Sequence, residues 1–136
     1  PLEQALDEQT VAAVQTQPYA SISPETPIET ALAKLASGQI ACLLVEREGR
    51  LVGVFSDRDF LDKVALEFDE LKRQPVSRVM TKDPVFVYET DSAAAALSVM
   101  AVSGYRHVPV VDLQHQLVGI ISPQRVVRFL REHSGD

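Results

Sequence analysis

Apolar and polar positions along this chain follow one pattern twice. Ile28, Ala31, Leu32 and Leu35 have the i, i+3, i+4, i+7 spacing of a single helix face. Thr26-Pro27 supplies a cap residue followed by proline at the first helical position, and Gly38 supplies a stop. Ala41 to Val45 is an apolar run of strand length, Glu46 to Arg50 holds a turn at Gly49, and Leu51 to Phe55 is a second strand, so the two predict a hairpin. Ser56 then caps a helix beginning at Asp57, with Phe60, Leu61 and Val64 on one face. The order recurs as a helix over 92–103, strands over 107–111 and 116–121, and a helix from Pro123. Short strands at Ala20 to Ile22 and Val85 to Val87 precede the first helix of each copy. Residues 2 to 15 predict an amphipathic N-terminal helix with Leu2, Leu6 and Val14, and residues 66 to 78, with Pro75, form a link.

The letters repeat as well as the pattern. LVGVFS at 51–56 returns as LVGIIS at 117–122, an offset of 66. Upstream of an inserted residue near Ala101 the offset is 65, which pairs Val14 with Val79, Thr16 with Thr81 and Leu32 with Leu97. Two copies are fewer than a solenoid needs. They predict a pair that closes on itself about a pseudo-twofold axis, an α/β chain of the α+β kind with two β-α-β-β-α repeats and an N-terminal helix. The boundary is expected between residues 1–74, with the helix and the first repeat, and residues 75–136, with the second.

Composition narrows the class. The 136 residues are 46% hydrophobic and 24% charged, the balance of a soluble globular domain rather than a disordered chain. No apolar run approaches the ~20 residues of a membrane span. Residues 1–10 carry three acids and no base, unlike a secretory signal. The first residue is Pro1, so either an initiator Met was removed or the chain is a piece of a longer one. A formal charge of −6 disfavours nucleic acid as the main partner and leaves room for a small anion in a local basic pocket. The single Cys42 excludes an internal disulfide and a cysteine-based zinc site, and fits reducing, cytoplasmic surroundings.

The sharpest local signal is GVFSDRD, Gly53 to Asp59, with its partner GIISPQR, Gly119 to Arg125. Each places a glycine on the second strand and a serine at its end, then enters a helix. The positive end of a helix dipole and its outward N–H groups suit an anion, and a strand glycine lets a ligand approach closely. Ser56-x-x-Asp59 matches a capping box equally well. In the second copy Ser122 caps, Pro123 suits the first helical position, and Arg125 replaces the acid. An arginine there opposes the dipole, which makes sense beside an anion and equally as a solvated side chain or a surface ion pair. Arg106 falls on Ile40 of the first copy, so the fold does not demand a base there. Arg106 and Arg125 stand at equivalent ends of neighbouring strands and can converge on a phosphate. Arg128 and Arg131 read as a solvated helix face, His107 as a strand-end residue and Cys42 as inert core. His107, His115 and His133 lack metal-ligand spacing. There is no nucleophile elbow, phosphate loop or dinucleotide fingerprint, so no catalytic residue, catalytic cofactor or metal is expected.

LVGVFSDRDF, TKDPVFV, YRHVPVVD and LVGIIS, in this order and spacing, resemble the CBS domain pair, the regulatory module named after cystathionine β-synthase, over residues 9 to 132. The resemblance implies two repeats packed through their sheets with a cleft on each side, where many members bind AMP, ADP or ATP and some bind S-adenosylmethionine or other adenosyl ligands. It implies that, in the motif running from Gly53 through Phe55, Ser56 contacts phosphate or ribose and Asp59 bonds the ribose hydroxyls. Thr16, Pro18 and Tyr19, with Ile40, Ala41 and Cys42, would line the adenine slot through backbone contacts. Arg106, next to His107, would meet the phosphates from the opposite copy, and Arg58 and Gln124 would reach them too. The second motif, Ser122 to Arg125, lacks the ribose carboxylate, so one adenosyl site around Ser56 and Asp59 is expected. The implied function is that of a cytoplasmic, homodimeric, ligand-sensing module. It would bind an adenine nucleotide as a regulatory ligand and act on an attached or partnered effector, with no nucleic acid and no direct membrane contact. The alternatives are a ligand-free dimerisation scaffold, or a binder of S-adenosylmethionine or another adenosyl ligand; no enzyme activity is expected.

Overall fold

The structure, a computed structural model, describes residues 2–38 and 40–134. The element order is α1 (Leu2–Glu8), β1 (Ser21–Ile22), α2 (Ile28–Ser37), β2 (Cys42–Arg47), β3 (Arg50–Ser56), α3 (Asp57–Lys63), α4 (Phe68–Leu71), β4 (Thr81–Lys82), β5 (Val87–Tyr88), α5 (Ala93–Ser103), β6 (Val108–Val111), β7 (Leu117–Ile121) and α6 (Pro123–Ser134), with 3-10 turns at Val11–Ala13, Ala65–Glu67 and Val76–Arg78. The chain divides into two units, Tyr19–Pro84 and Pro1–Pro18 with Val85–Asp136. These divide it differently from the boundary after residue 74 drawn on the repeats.

In the unit Tyr19–Pro84 the sheet runs β1-β2-β3-β4. β1 is parallel to β2, and the β2–β3 hairpin and the β3–β4 pair are antiparallel. β2 is buried on both faces, with Leu43 and Val45 in the core and Leu44 opposite, which is why it reads apolar without alternation. Ile28, Ala31, Phe55, Val64, Val76 and Val79 complete that core. Two expectations fail here. Leu61, placed on the apolar face of α3 with Phe60 and Val64, is 69% exposed, while Val64 is buried. Thr26 does not cap α2: Pro27 holds the N-cap position and the Thr26 hydroxyl meets Ser23 instead. The orphan amides of Ile28 and Glu29 donate to the carbonyls of Gln74 and Lys72, so the supposed link is what closes the helix end. That link contains α4 and two 3-10 turns.

In the second unit the sheet runs β5-β6-β7, with β5 parallel to β6 and β6–β7 a hairpin. β5 begins at Val87, and Val85, expected in that strand, lies outside it and is exposed. α5 is closed at both ends: the Ser92 hydroxyl accepts from Ala95 N–H, and Gly104 turns left-handed at φ 78° and donates to Met100 O. The N-terminal helix packs here, on α5 and α6. It ends at Glu8 instead of running to residue 15. The N–H groups of Val11 and Ala12 donate to Asp91 O and Glu89 O, so the amides a longer helix would use are held by the strand-side chain. Leu6, Val11 and Val14 still reach the core, with Val11 and Val14 fully buried. The side chain of Leu2, expected on the same face, lies outside the described residues.

Candidate ligand site

Ser56 ends β3 and caps α3. Its hydroxyl accepts from Asp59 N–H at 3.4 Å, and Asp59 Oδ2 accepts from Ser56 N–H at 3.0 Å, which closes the capping box. The Ser56 hydroxyl also donates to Oδ2 at 3.1 Å. Asp59 Oδ1 accepts from Lys63 Nζ at 2.9 Å and from the Thr81 hydroxyl at 2.8 Å. Asp59 is only 6% exposed, and Lys63 is its ion-pair partner one helical turn on. Lys63 Nζ donates further to Val79 O at 3.0 Å and Met80 O at 3.5 Å. The carboxylate expected to meet ribose is thus fixed in place by four donors of its own unit.

Cys42 pairs with Ser56 across the hairpin, so the Ala41–Cys42 step lies beside the serine, with Ala41 exposed and Ile40 half-buried. The Cys42 thiol is pushed up to about 11 by burial, with the Asp57 and Asp59 carboxylates adding to it. It is mostly protonated at neutral pH, as inert core should be. Tyr19 is half-buried, and its phenol is raised by burial and then by the Glu46 carboxylate. The Phe55 side chain is fully buried in the core of its unit. Arg58 is exposed, 3.8 Å from Asp62.

The strand glycine was expected to admit a ligand. It admits the chain itself. A Cβ on Gly53 would lie 2.6 Å from Met80 Sδ and 2.9 Å from Thr81 O, because β4 crosses β3 there. A Cβ on Gly119 would meet the side chain and carbonyl of Thr16, whose oxygen accepts from Ile120 N–H at 2.9 Å. Each motif glycine therefore accommodates the segment that leads into a repeat, and the grouping of site residues changes with it. Thr81 stands by the Ser56 motif, whereas Thr16 and Pro18 stand by Ser122 and Arg125.

In that second motif the Ser122 hydroxyl accepts from Arg125 N–H at 3.2 Å. The Arg125 guanidinium donates to Ile120 O at 3.1 Å and Pro18 O at 2.7 Å. Partial burial, then the neighbouring Arg128, lowers its pKa. Gln124, Arg106 and His107 are exposed in the same unit. Gln15, Arg128 and Glu132 line a groove of about 220 Å³ next to Arg125. Sequence reading missed Lys63 and Thr81. Lys63 was accessible through its i+4 spacing from Asp59, and Thr81 through its repeat partner Thr16.

The CBS domain model matches residues 11–66 and 76–132. The crystal structure of CBSX2 of Arabidopsis thaliana in complex with AMP is 30% identical, with a TM-score of 0.81 over 93% of this chain and 98% of that one. A CBS domain-containing protein of Arabidopsis thaliana, CBSCBSPB5, is 35% identical over 106 residues, 77% of this chain and 19% of its own length. A 17.7 kDa protein of Acidianus ambivalens is 30% identical over 121 residues, 88% of this chain and 72% of its own. The chain thus spans about a fifth of the plant relative and most of the archaeal one. With its duplicated mixed α+β architecture and both repeats matched, the chain belongs to the CBS domain family and carries two CBS domains.

Proposed function

We propose that this CBS pair is a ligand-sensing module that binds an adenine nucleotide at the Ser56–Asp59 motif and thereby biases an attached or partnered effector. The observation that carries the reading is the buried, pre-oriented Asp59 carboxylate in the first turn of α3, with Ser56 beside it at the end of β3, in a chain whose CBSX2 relative has been solved with AMP. A fixed carboxylate suits hydroxyl donors, since little ordering is left for binding to achieve. Control of an effector requires the ligand to bind its two states with different affinity. The second motif offers Arg125 instead, already bound to two carbonyls, so one site per chain is the reading. A cytoplasmic setting and a homodimer belong to the same proposal; the free, buried Cys42 thiol supports the first.

A calorimetric panel of AMP, ADP, ATP, NAD and S-adenosylmethionine tests it. Saturable binding of an adenine nucleotide at about one per chain is expected, and absence of heat from the whole panel refutes it. The scaffold reading has one observation in its favour: the polar third residues of both helices are occupied by internal bonds. That reading predicts a silent panel and an unchanged dimer.

A further inference from the structure

Asp59 has no acceptor position to spare. An ionised carboxylate offers two oxygens and about four lone-pair positions. Here Oδ1 receives Lys63 Nζ and the Thr81 hydroxyl, and Oδ2 receives the Ser56 amide and the Ser56 hydroxyl. A vicinal diol arriving at this carboxylate needs two of those places.

The four resident donors are not equally replaceable. The Ser56 amide belongs to the capping box, and its release would undo the start of α3. Lys63 carries the counter-charge of a carboxylate that is 6% exposed, and loss of one partner from such a pair is strongly unfavourable. The two hydroxyls remain, one on each oxygen. Both are neutral, and a hydroxyl can rotate to donate elsewhere.

We propose that the Ser56 and Thr81 hydroxyls hold, in the ligand-free chain, the places on Asp59 that a ligand's vicinal diol takes. Binding is then an exchange of hydroxyl for hydroxyl, and Thr81 sets how strongly the site distinguishes a diol from its deoxy analogue. The inference rests on the nucleotide reading above. It also identifies how occupancy reaches the backbone. Thr81 lies in β4, opposite Val54 of β3, and the carbonyls of Val79 and Met80 just before it are held by Lys63. Displacing the Thr81 hydroxyl removes one of the ties between α3 and the segment leading into the second repeat.

The test is a cycle between one protein hydroxyl and the ligand diol. AMP and 2′,3′-dideoxy-AMP are titrated calorimetrically into the full chain and into Thr81→Val, with Thr81→Ala as the alternative if the valine does not fold. In the parent chain the diol gains little by exchange, and the two ligands should bind within about threefold. In the variant Oδ1 lacks a donor, the diol fills the gap, and the preference for AMP should rise about tenfold, as for a hydrogen bond to a charged group. Thr81→Ser should keep the parental preference. A preference that is unchanged or reduced in the valine and alanine variants, with AMP still binding, overturns the exchange and leaves the nucleotide reading standing. Failure of every adenine nucleotide of the panel to bind the parent chain overturns both.

Discussion

The carboxylate of Asp59 draws Thr81 and, through Lys63, the carbonyls of Val79 and Met80 onto α3, while the guanidinium of Arg125 draws the carbonyls of Pro18 and Ile120 onto α6. The same repeat position thus ties down a leading segment with opposite charges. Asp59→Ala should lower stability by about 2–3 kcal/mol, through loss of the capping box and of the buried charged hydrogen bonds, and should weaken nucleotide binding by undoing the start of α3. Arg125→Ala should lower stability by about 1–2 kcal/mol, since its carbonyl partners can turn to water, and leave nucleotide binding intact. Urea unfolding read alongside calorimetry separates the two, and the reverse pattern of binding loss would place the ligand in the other unit. Cys42 gives a pH test. Its thiol is raised from the ordinary value of about 8.5 to about 11, so folding favours the protonated form. Its stabilisation is complete below the unfolded value and is lost as pH rises toward the folded one. Stability should therefore fall by about 3 kcal/mol between roughly pH 8.5 and 11, and Cys42→Ala should flatten that slope. An identical slope in the alanine variant would assign the decline to other groups.

At the scale of elements, β3 and β7 carry a glycine where a leading segment crosses, and the crossing sets what each tolerates. Gly53→Val should cost about 1–3 kcal/mol, because Met80 can swing aside but the Thr81 carbonyl is ladder backbone. Gly119→Ala should cost a similar amount by pushing Thr16 off Ile120, seen as faster amide exchange at Ile120. Gly104→Ala meets no neighbouring atom, and its penalty of about 1 kcal/mol should come from φ alone. Equal effects at all three would remove the crossing argument. These crossings explain what the sequence did and did not disclose. The repeat of LVGVFS and LVGIIS exposed the hairpins, both Ser-capped helices and the family, because local spacing carries those signals. It suggested a ligand at Gly53 because a glycine records that something comes close but not what. The Thr81–Asp59 bond spans 22 residues and the Ile28–Gln74 closure 46, and neither leaves a periodic trace. The N-terminal helix stopped short for a similar reason: no pattern in residues 9–15 announces that their amides pair with residues 89–91.

At the scale of the whole chain, one exposed apolar position recurs in both repeats. Leu61 on α3 and Val127 on α6 are 66 residues apart in sequence, occupy the same repeat position, and are 69% and 63% exposed. Val102 on α5 and Leu66 after α3 are 90% and 99% exposed. Single exposed aliphatics are ordinary on a soluble protein, but the same position left apolar and uncovered in both repeats calls for a cover. A second copy fits, because an isologous contact sets the same residue of both partners into one interface. Sedimentation at tens of micromolar should give twice the chain mass. A stable contact of this kind needs about 1,200–2,000 Å² in total, so these aliphatics would supply only part of it. Leu61→Asp with Val127→Asp should then give monomers. Neither side chain belongs to a core, so the paired variant should keep its unfolding midpoint when parent and variant are compared at low concentration, where the parent too is monomeric. If the parent already sediments as a monomer at the higher concentration, the dimer is wrong. If the paired aspartates leave a dimer intact, it forms through another surface, and these four residues are simply exposed.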